Sequence, residues 1–148
     1  MSDNSVFDVQ KESGRLVIRF SSTLENIDSV AGEVKVLMAD AGLLEYSFGV
    51  RIVMREGLTN AVRHGNKNDP LKLVKFEISI QGDTLTMIIE DQGDGFDWAM
   101  VKADCSPDKE VDIPLDHGRG FPIIEEYFDG YRYNRKGNIL TLKKDISS

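Results

Sequence analysis

Glu56, Asn60 and His64 stand four residues apart in the run Glu56-Gly-Leu-Thr-Asn60-Ala-Val-Arg-His64-Gly. On a helix such residues differ by roughly 40° in direction and lie about 6 Å apart along the axis, so the three side chains form a slowly turning ridge. The apolar positions of the same wheel centre near Val50, Gly57 and Ala61. The ridge starts off that stripe and climbs to its edge, which places Glu56 and Asn60 at the border of a cleft. A carboxylate there can orient or deprotonate an attacking hydroxyl. An amide oxygen one turn away can be the single protein ligand of a magnesium ion otherwise held by water and phosphates. Taken alone, the ridge also fits a solvated polar face with an i,i+4 Glu and Asn pair and a helix-end histidine.

A second group is Asp91-Gln-Gly93-Asp-Gly95. Asp91 has the parity of Leu85, Met87 and Ile89, so in an extended strand its carboxylate points to their apolar side. A carboxylate there needs donors, and an adenine amino group with a fixed water is one way to supply them. Gly93 and Gly95 remove two side chains just beyond, which lets a flat base lie against backbone. The same residues also suit an ordinary turn. A calcium loop is excluded, because its third position would be Gly93 and its twelfth Lys102. The dinucleotide fingerprint lacks its third glycine, and no Gly-x4-Gly-Lys-Ser/Thr run exists.

The third group, Gly118-Arg119-Gly120-Phe-Pro, reads as a glycine turn entering a helix. Free N–H groups and the positive end of the helix dipole make such an entry an anion site, to which Arg119 could add charge.

The elements that must position these groups follow from periodicity. Leu16-Val-Ile-Arg-Phe20 reads as a strand, and Ser22-Thr-Leu-Glu25 has the form of a capping box. Leu24, Ile27, Val30, Ala31, Val34, Leu37, Met38 and Ala41 recur at helical spacing up to Gly42. A second helix runs from about Ser47 to His64, with Gly65 as its expected C-terminal cap and Pro70 beyond. The period then changes to two: Val74, Phe76, Ile78 and Ile80 alternate with Lys75, Glu77, Ser79 and Gln81. Gly82-Asp83 turns this strand into Leu85–Asp91. From Phe96 to His117 an acidic stretch shows little periodicity, and a run of that length is usually functional. A third helix near Phe121 or Pro122 precedes a hairpin of 131–133 with 139–142. Helices gathered on one face of a mostly antiparallel sheet make a two-layer α/β sandwich of the α+β class, one domain over 1–148.

Composition narrows the function. The 148 residues carry a net charge of −7, which disfavours a general nucleic-acid surface. Cys105 is the only cysteine, so an intramolecular disulfide is impossible and a reducing compartment fits. The start lacks a basic segment followed by an apolar run, and no stretch approaches the roughly 18 apolar residues of a membrane helix. The expectation is a cytoplasmic protein without a membrane span.

Taken in order, the three groups resemble the GHKL, or Bergerat-fold, ATPases, and within them the short anti-sigma-factor serine kinases of the RsbW type. Glu56-x3-Asn60-Ala-x2-His64-Gly is similar to the N box, Asp91-x-Gly93-x-Gly95-Phe-Asp97 to the first glycine box, and Gly118-x-Gly120 with Ile123-Ile124 to the second. The resemblance implies that ATP and Mg2+ bind in the cleft. It makes Glu56 the general base, Asn60 the metal ligand and Asp91 the reader of the adenine amino group. It sets Gly93 and Gly95 behind the base and Gly118 and Gly120 along the phosphates, with His64 and Arg119 counted among the nucleotide-binding positions and 96–117 as an ATP lid. It further implies a homodimer that phosphorylates a STAS-domain anti-sigma antagonist and sequesters a sigma factor. A second function consistent with the same residues is a non-catalytic module in which ATP only orders a partner-binding surface.

Overall fold

The computed structural model describes residues 5–93, 120–134 and 136–147. Six strands form one sheet in the order β1-β2-β3-β4-β6-β5, every neighbouring pair antiparallel. They are β1 (Phe7–Glu12), β2 (Arg15–Ser21), β3 (Leu73–Gln81), β4 (Thr84–Glu90), β5 (Gly130–Tyr133) and β6 (Ile139–Asp145).

The two-residue period fixes the register. Ile18 pairs with Phe76, Phe76 with Ile89 and Ile89 with Leu140, while Leu16, Ile78, Met87 and Leu142 form the next row. These eight side chains are at most 2% exposed. They face three helices: α1 (Leu24–Asp40), α2 (Ser47–Asn60) and, beyond β4, α3 (Gly120–Tyr127). Ile27, Val30, Val34 and Met38 of α1 and Val50, Val53, Met54 and Leu58 of α2 complete the core. Burying each such side chain contributes about 1.5–3 kcal/mol relative to leaving it in water. The two-layer α+β sandwich expected from the patterning is the observed fold. No helix among the described residues is long and apolar enough to cross a membrane.

Three local differences from the sequence reading have physical causes. Phe7–Glu12 is a strand, although its polar residues conceal it, because it forms the sheet edge and only Phe7 and Val9 pack inward. The cap of α1 is Thr23, whose hydroxyl accepts from the Asn26 N–H at 3.4 Å, and Asn26 in turn donates to the Ser21 carbonyl at 2.8 Å. The box thus begins one residue later than its Ser-x-x-Glu form suggests. The second helix, finally, changes from α to π geometry over Ala61–Gly65.

Candidate nucleotide-binding cleft

The cleft lies where the end of α2 crosses the ends of β4 and β6. Gly57, Asn60, Ala61, His64 and Gly65 line it from the helix and its π turn, Ile89 from β4 and Asp91 from just past its end, and Tyr133, Gly137, Asn138 and Leu140 from the last hairpin. Apolar walls and a few convergent polar groups suit a flat heterocycle with a polar edge.

α2 approaches β4 closely because Gly57 carries no side chain. A Cβ there would stand 2.5 Å from the Ile89 Cδ1. Asn60 therefore reaches the cleft, half-buried, while Glu56 is half-buried one turn earlier and stands outside the lining. The π turn, closed by the Asn66 N–H on the Ala61 carbonyl at 2.8 Å, spreads the chain between Asn60 and Gly65. Such turns are frequent at functional sites. His64 sits on it at the cleft's exposed rim.

Gly65 is not the left-handed cap that its place after a helix suggests. Positive φ falls instead on Lys67 (54°) and Asn68 (60°). What Gly65 provides is room: an added Cβ would be 2.3 Å from the Asp91 Cγ. Gly93 has a matching task, since its Cβ would be 1.8 Å from the Gly65 carbonyl oxygen. The two glycines let the helix end and the strand end meet around one carboxylate, and Gly93 lies outside the cleft lining.

Asp91 points inward, as strand parity requires, and is 8% exposed. Its Oδ1 accepts the Gly93 N–H at 2.9 Å. Its backbone is pinned to the last hairpin, the N–H donating to the Asn138 carbonyl at 2.9 Å and its own carbonyl accepting from Asn138 Nδ2 at 3.2 Å. Burial raises the Asp91 carboxyl from 3.8 to about 6; the Gly93 N–H opposes this, Glu90 adds to it, and Lys136 and Lys72 oppose it. The Tyr133 phenol is pushed up as well, first by burial and then by the Asp91 charge.

Two asparagines and a glutamine that carry no obvious chemistry in the sequence hold this arrangement. Asn66 is fully buried; its Nδ2 donates to the Leu73 carbonyl at 3.0 Å and its Oδ1 accepts the Gln92 N–H at 2.8 Å. The Gln92 Oε1 accepts the Leu73 N–H at 2.7 Å. Asn134 Oδ1 gathers the N–H groups of Gly137, Asn138 and Ile139 at 3.0, 3.0 and 2.9 Å. The signal in the sequence is an asparagine just past the helix and two more flanking Lys136-Gly137, residue types that satisfy turn backbones.

Among the described residues no group of three or more His, Cys, Asp or Glu side chains could hold a metal ion. A lone amide such as Asn60 suits a hard cation that keeps most of its water, as magnesium does. The structure brings together Asn60, His64 and Asp91, with Glu56 adjoining. Gly95, Gly118, Arg119 and the expected lid over 96–117 lie outside the described residues, and Gly120 opens α3.

Residues 20–144 match the histidine kinase-like ATPase domain. Similar curated proteins are the serine-protein kinase RsbW of Staphylococcus aureus strains JH9, Newman and JH1, each 30% identical over 101 residues. Those alignments span 65% of this chain and 64% of each relative's length. With the sheet order, the cleft and the domain match in agreement, the chain belongs to the histidine kinase-like ATPase family, of the GHKL type.

Proposed function

We propose that this protein is an ATP- and magnesium-dependent serine/threonine kinase that phosphorylates a STAS-domain antagonist and sequesters a sigma factor, working in the cytoplasm as a homodimer. The observation that carries the reading is the convergence of Asn60 and the inward, buried Asp91 on one cleft, with the Glu56 carboxylate one helical turn from Asn60. The names of the RsbW relatives support the choice of a protein serine as acceptor.

In this reading Asp91 accepts a hydrogen bond from the adenine amino group, and Asn60 is the protein ligand of the magnesium ion. Bound magnesium supplies charge neutralisation at the phosphates. The acceptor hydroxyl attacks the γ-phosphorus, the bond to the bridging oxygen breaks, ADP leaves, and the hydroxyl proton passes to Glu56. Positioning accounts for most of the rate, because little covalent chemistry falls to the protein in phosphoryl transfer. Gly118, Gly120 and Arg119 are assigned to the phosphates, Gly93 and Gly95 to the base-binding turn, His64 to the rim of the nucleotide site, and 96–117 to the lid.

The test is transfer of labelled γ-phosphate from ATP to purified STAS-domain proteins. Wild type is expected to label a serine or threonine, and Glu56→Gln to lose at least about 100-fold in rate while binding ATP with unchanged affinity. Absence of labelling by wild type, with ATP-dependent partner binding intact, would establish the non-catalytic module instead.

A further inference from the structure

The outer side of α2 carries a feature that the nucleotide cleft leaves unused. From residue 47 to residue 65 the exposed positions are Phe48, Arg51, Arg55, Arg63 and His64, with no acidic member, in a chain whose net charge is −7. The spacing of Phe48, Arg51 and Arg55 keeps them on one side of α2, opposite Val50 and Val53, and Arg63 follows on the π turn.

The stripe begins with an apolar anchor. Phe48 is 57% and neighbouring Leu44 55% exposed. The Phe48 ring is held edge-to-face by Tyr127 of α3 at 6.0 Å and 73°, so its orientation is set before anything binds. Arg55 reaches Asp28 of α1 at 2.5 Å. Among the described residues Arg51 and Arg63 take part in no ion pair. Acidic groups lie on the flanking helices, Asp28 on α1 and exposed Glu125 and Glu126 on α3, which confines the positive charge to the α2 ridge.

We propose that this stripe is the docking face for an acidic protein, the one that carries the phosphate-accepting hydroxyl. Arginine is suited to it, since its planar fork pairs with carboxylates through two parallel hydrogen bonds, and an aromatic beside arginines is the composition of interface centres. Location supplies the link to chemistry. Glu56 follows Arg55 by one residue, about 100° around the helix, and so lies between the arginine stripe and Asn60 in the cleft. A protein seated on the stripe presents its hydroxyl to the Glu56 edge of the cleft. The role of that hydroxyl rests on the kinase reading above; the docking of an acidic protein does not.

The double variant Arg51→Glu/Arg63→Glu tests it, with Arg51→Lys/Arg63→Lys as the charge-conserving control, using a purified acidic STAS-domain protein as the probe. Charge reversal is expected to raise the KM for that protein roughly tenfold, flatten its dependence on salt, and leave kcat and the ATP Kd within about twofold. The lysine control is expected to stay near wild type. An unchanged KM and salt dependence would overturn the proposal. If wild type transfers no phosphate, the kinase reading fails and the Kd of the same pair decides docking: weakening by charge reversal sustains it, whereas no change, or no complex at all, overturns it. Tight binding of a labelled RNA oligomer that the variant abolishes would assign the stripe to nucleic acid and also overturn it.

Discussion

The carboxyl group of Asp91 fills the space that a side chain on Gly65 would need: a Cβ built on Gly65 would lie 2.3 Å from both the Asp91 Cγ and one carboxylate oxygen. Asp91 and the end of the helix that bears Asn60 are therefore in direct packing contact.

Gly65→Ala is accordingly expected to displace Asp91 rather than to disturb the helix. Overpacking of this kind costs about 1–3 kcal/mol, measurable by urea titration, and ATP affinity should fall with it. Gly93→Ala meets backbone, the Gly65 carbonyl oxygen at 1.8 Å, and should be the more damaging of the two. Equal and negligible effects from both changes would show that the helix end separates freely from the strand.

Titration of Asp91 gives stability and binding opposite pH trends. The folded protein holds this proton more tightly than the unfolded chain, the carboxyl being raised from 3.8 to about 6. Its contribution to stability is complete below about pH 4 and is lost as pH rises through about 6, a change on the order of 3 kcal/mol. Asp91→Asn should remove that fall in the ATP-free protein. In the proposed role the ionised carboxylate accepts from the adenine amino group more strongly than the neutral acid, so ATP binding should weaken below about pH 6, by up to about tenfold per pH unit. The titration of ATP itself is common to both proteins, so the difference between wild type and Asp91→Asn isolates the residue. Parallel profiles for the two would remove Asp91 from the base-binding role.

Asn66 joins three elements while contacting no ligand in the proposed site. Asn66→Leu would leave the Gln92 N–H and the Leu73 carbonyl without their partner in a fully buried place, each loss costing about 1–3 kcal/mol. Asn66→Asp keeps the acceptor for Gln92 but places a carboxyl group opposite the Leu73 carbonyl in a fully buried site, where only its protonated form can replace the lost donor. The expected order of thermal stability below about pH 4 is wild type, then Asp, then Leu, with the Asp variant losing stability as pH rises. An Asp variant whose stability relative to wild type does not change with pH would show that position 66 does not hold these contacts.

How much of this was legible in the sequence depended on whether an element announces itself through its own period. The alternation of β3 and the apolar stripe of α2 did so, and with them came the sheet face, the inward direction of Asp91 and the cleft-edge place of Asn60. β1 did not, because an edge strand with a polar outer row looks like a charged tail. The glycines were visible as glycines, but their reason was not: Gly65 and Gly93 serve a contact across 28 residues of sequence, which no local rule encodes. Asn66 was silent for the same cause, its partners being Leu73 and Gln92 on two other segments. Gly118 and Arg119 lie outside the described residues, and their assignment to phosphates stands on the motif.

The C-terminal end of α3 offers a test of whether the second glycine segment depends on helix anchoring. The Lys144 ammonium, on β6, donates to the Tyr127 carbonyl at the last turn of α3 and lies 5.4 Å from the Tyr46 ring centre and 5.6 Å from that of Phe128. A cation at this end also meets the negative pole of the helix dipole. Lys144→Met keeps most of the side-chain volume and removes the charge, with an expected loss of about 1–3 kcal/mol. The loss should be local: amide exchange at Ile123 and Ile124 should accelerate while the β3–β4 ladder keeps its protection. ATP affinity should fall in the same variant, since Gly120 opens the helix that Lys144 anchors. Faster exchange in α3 with undiminished ATP binding would detach the second glycine segment from the nucleotide site.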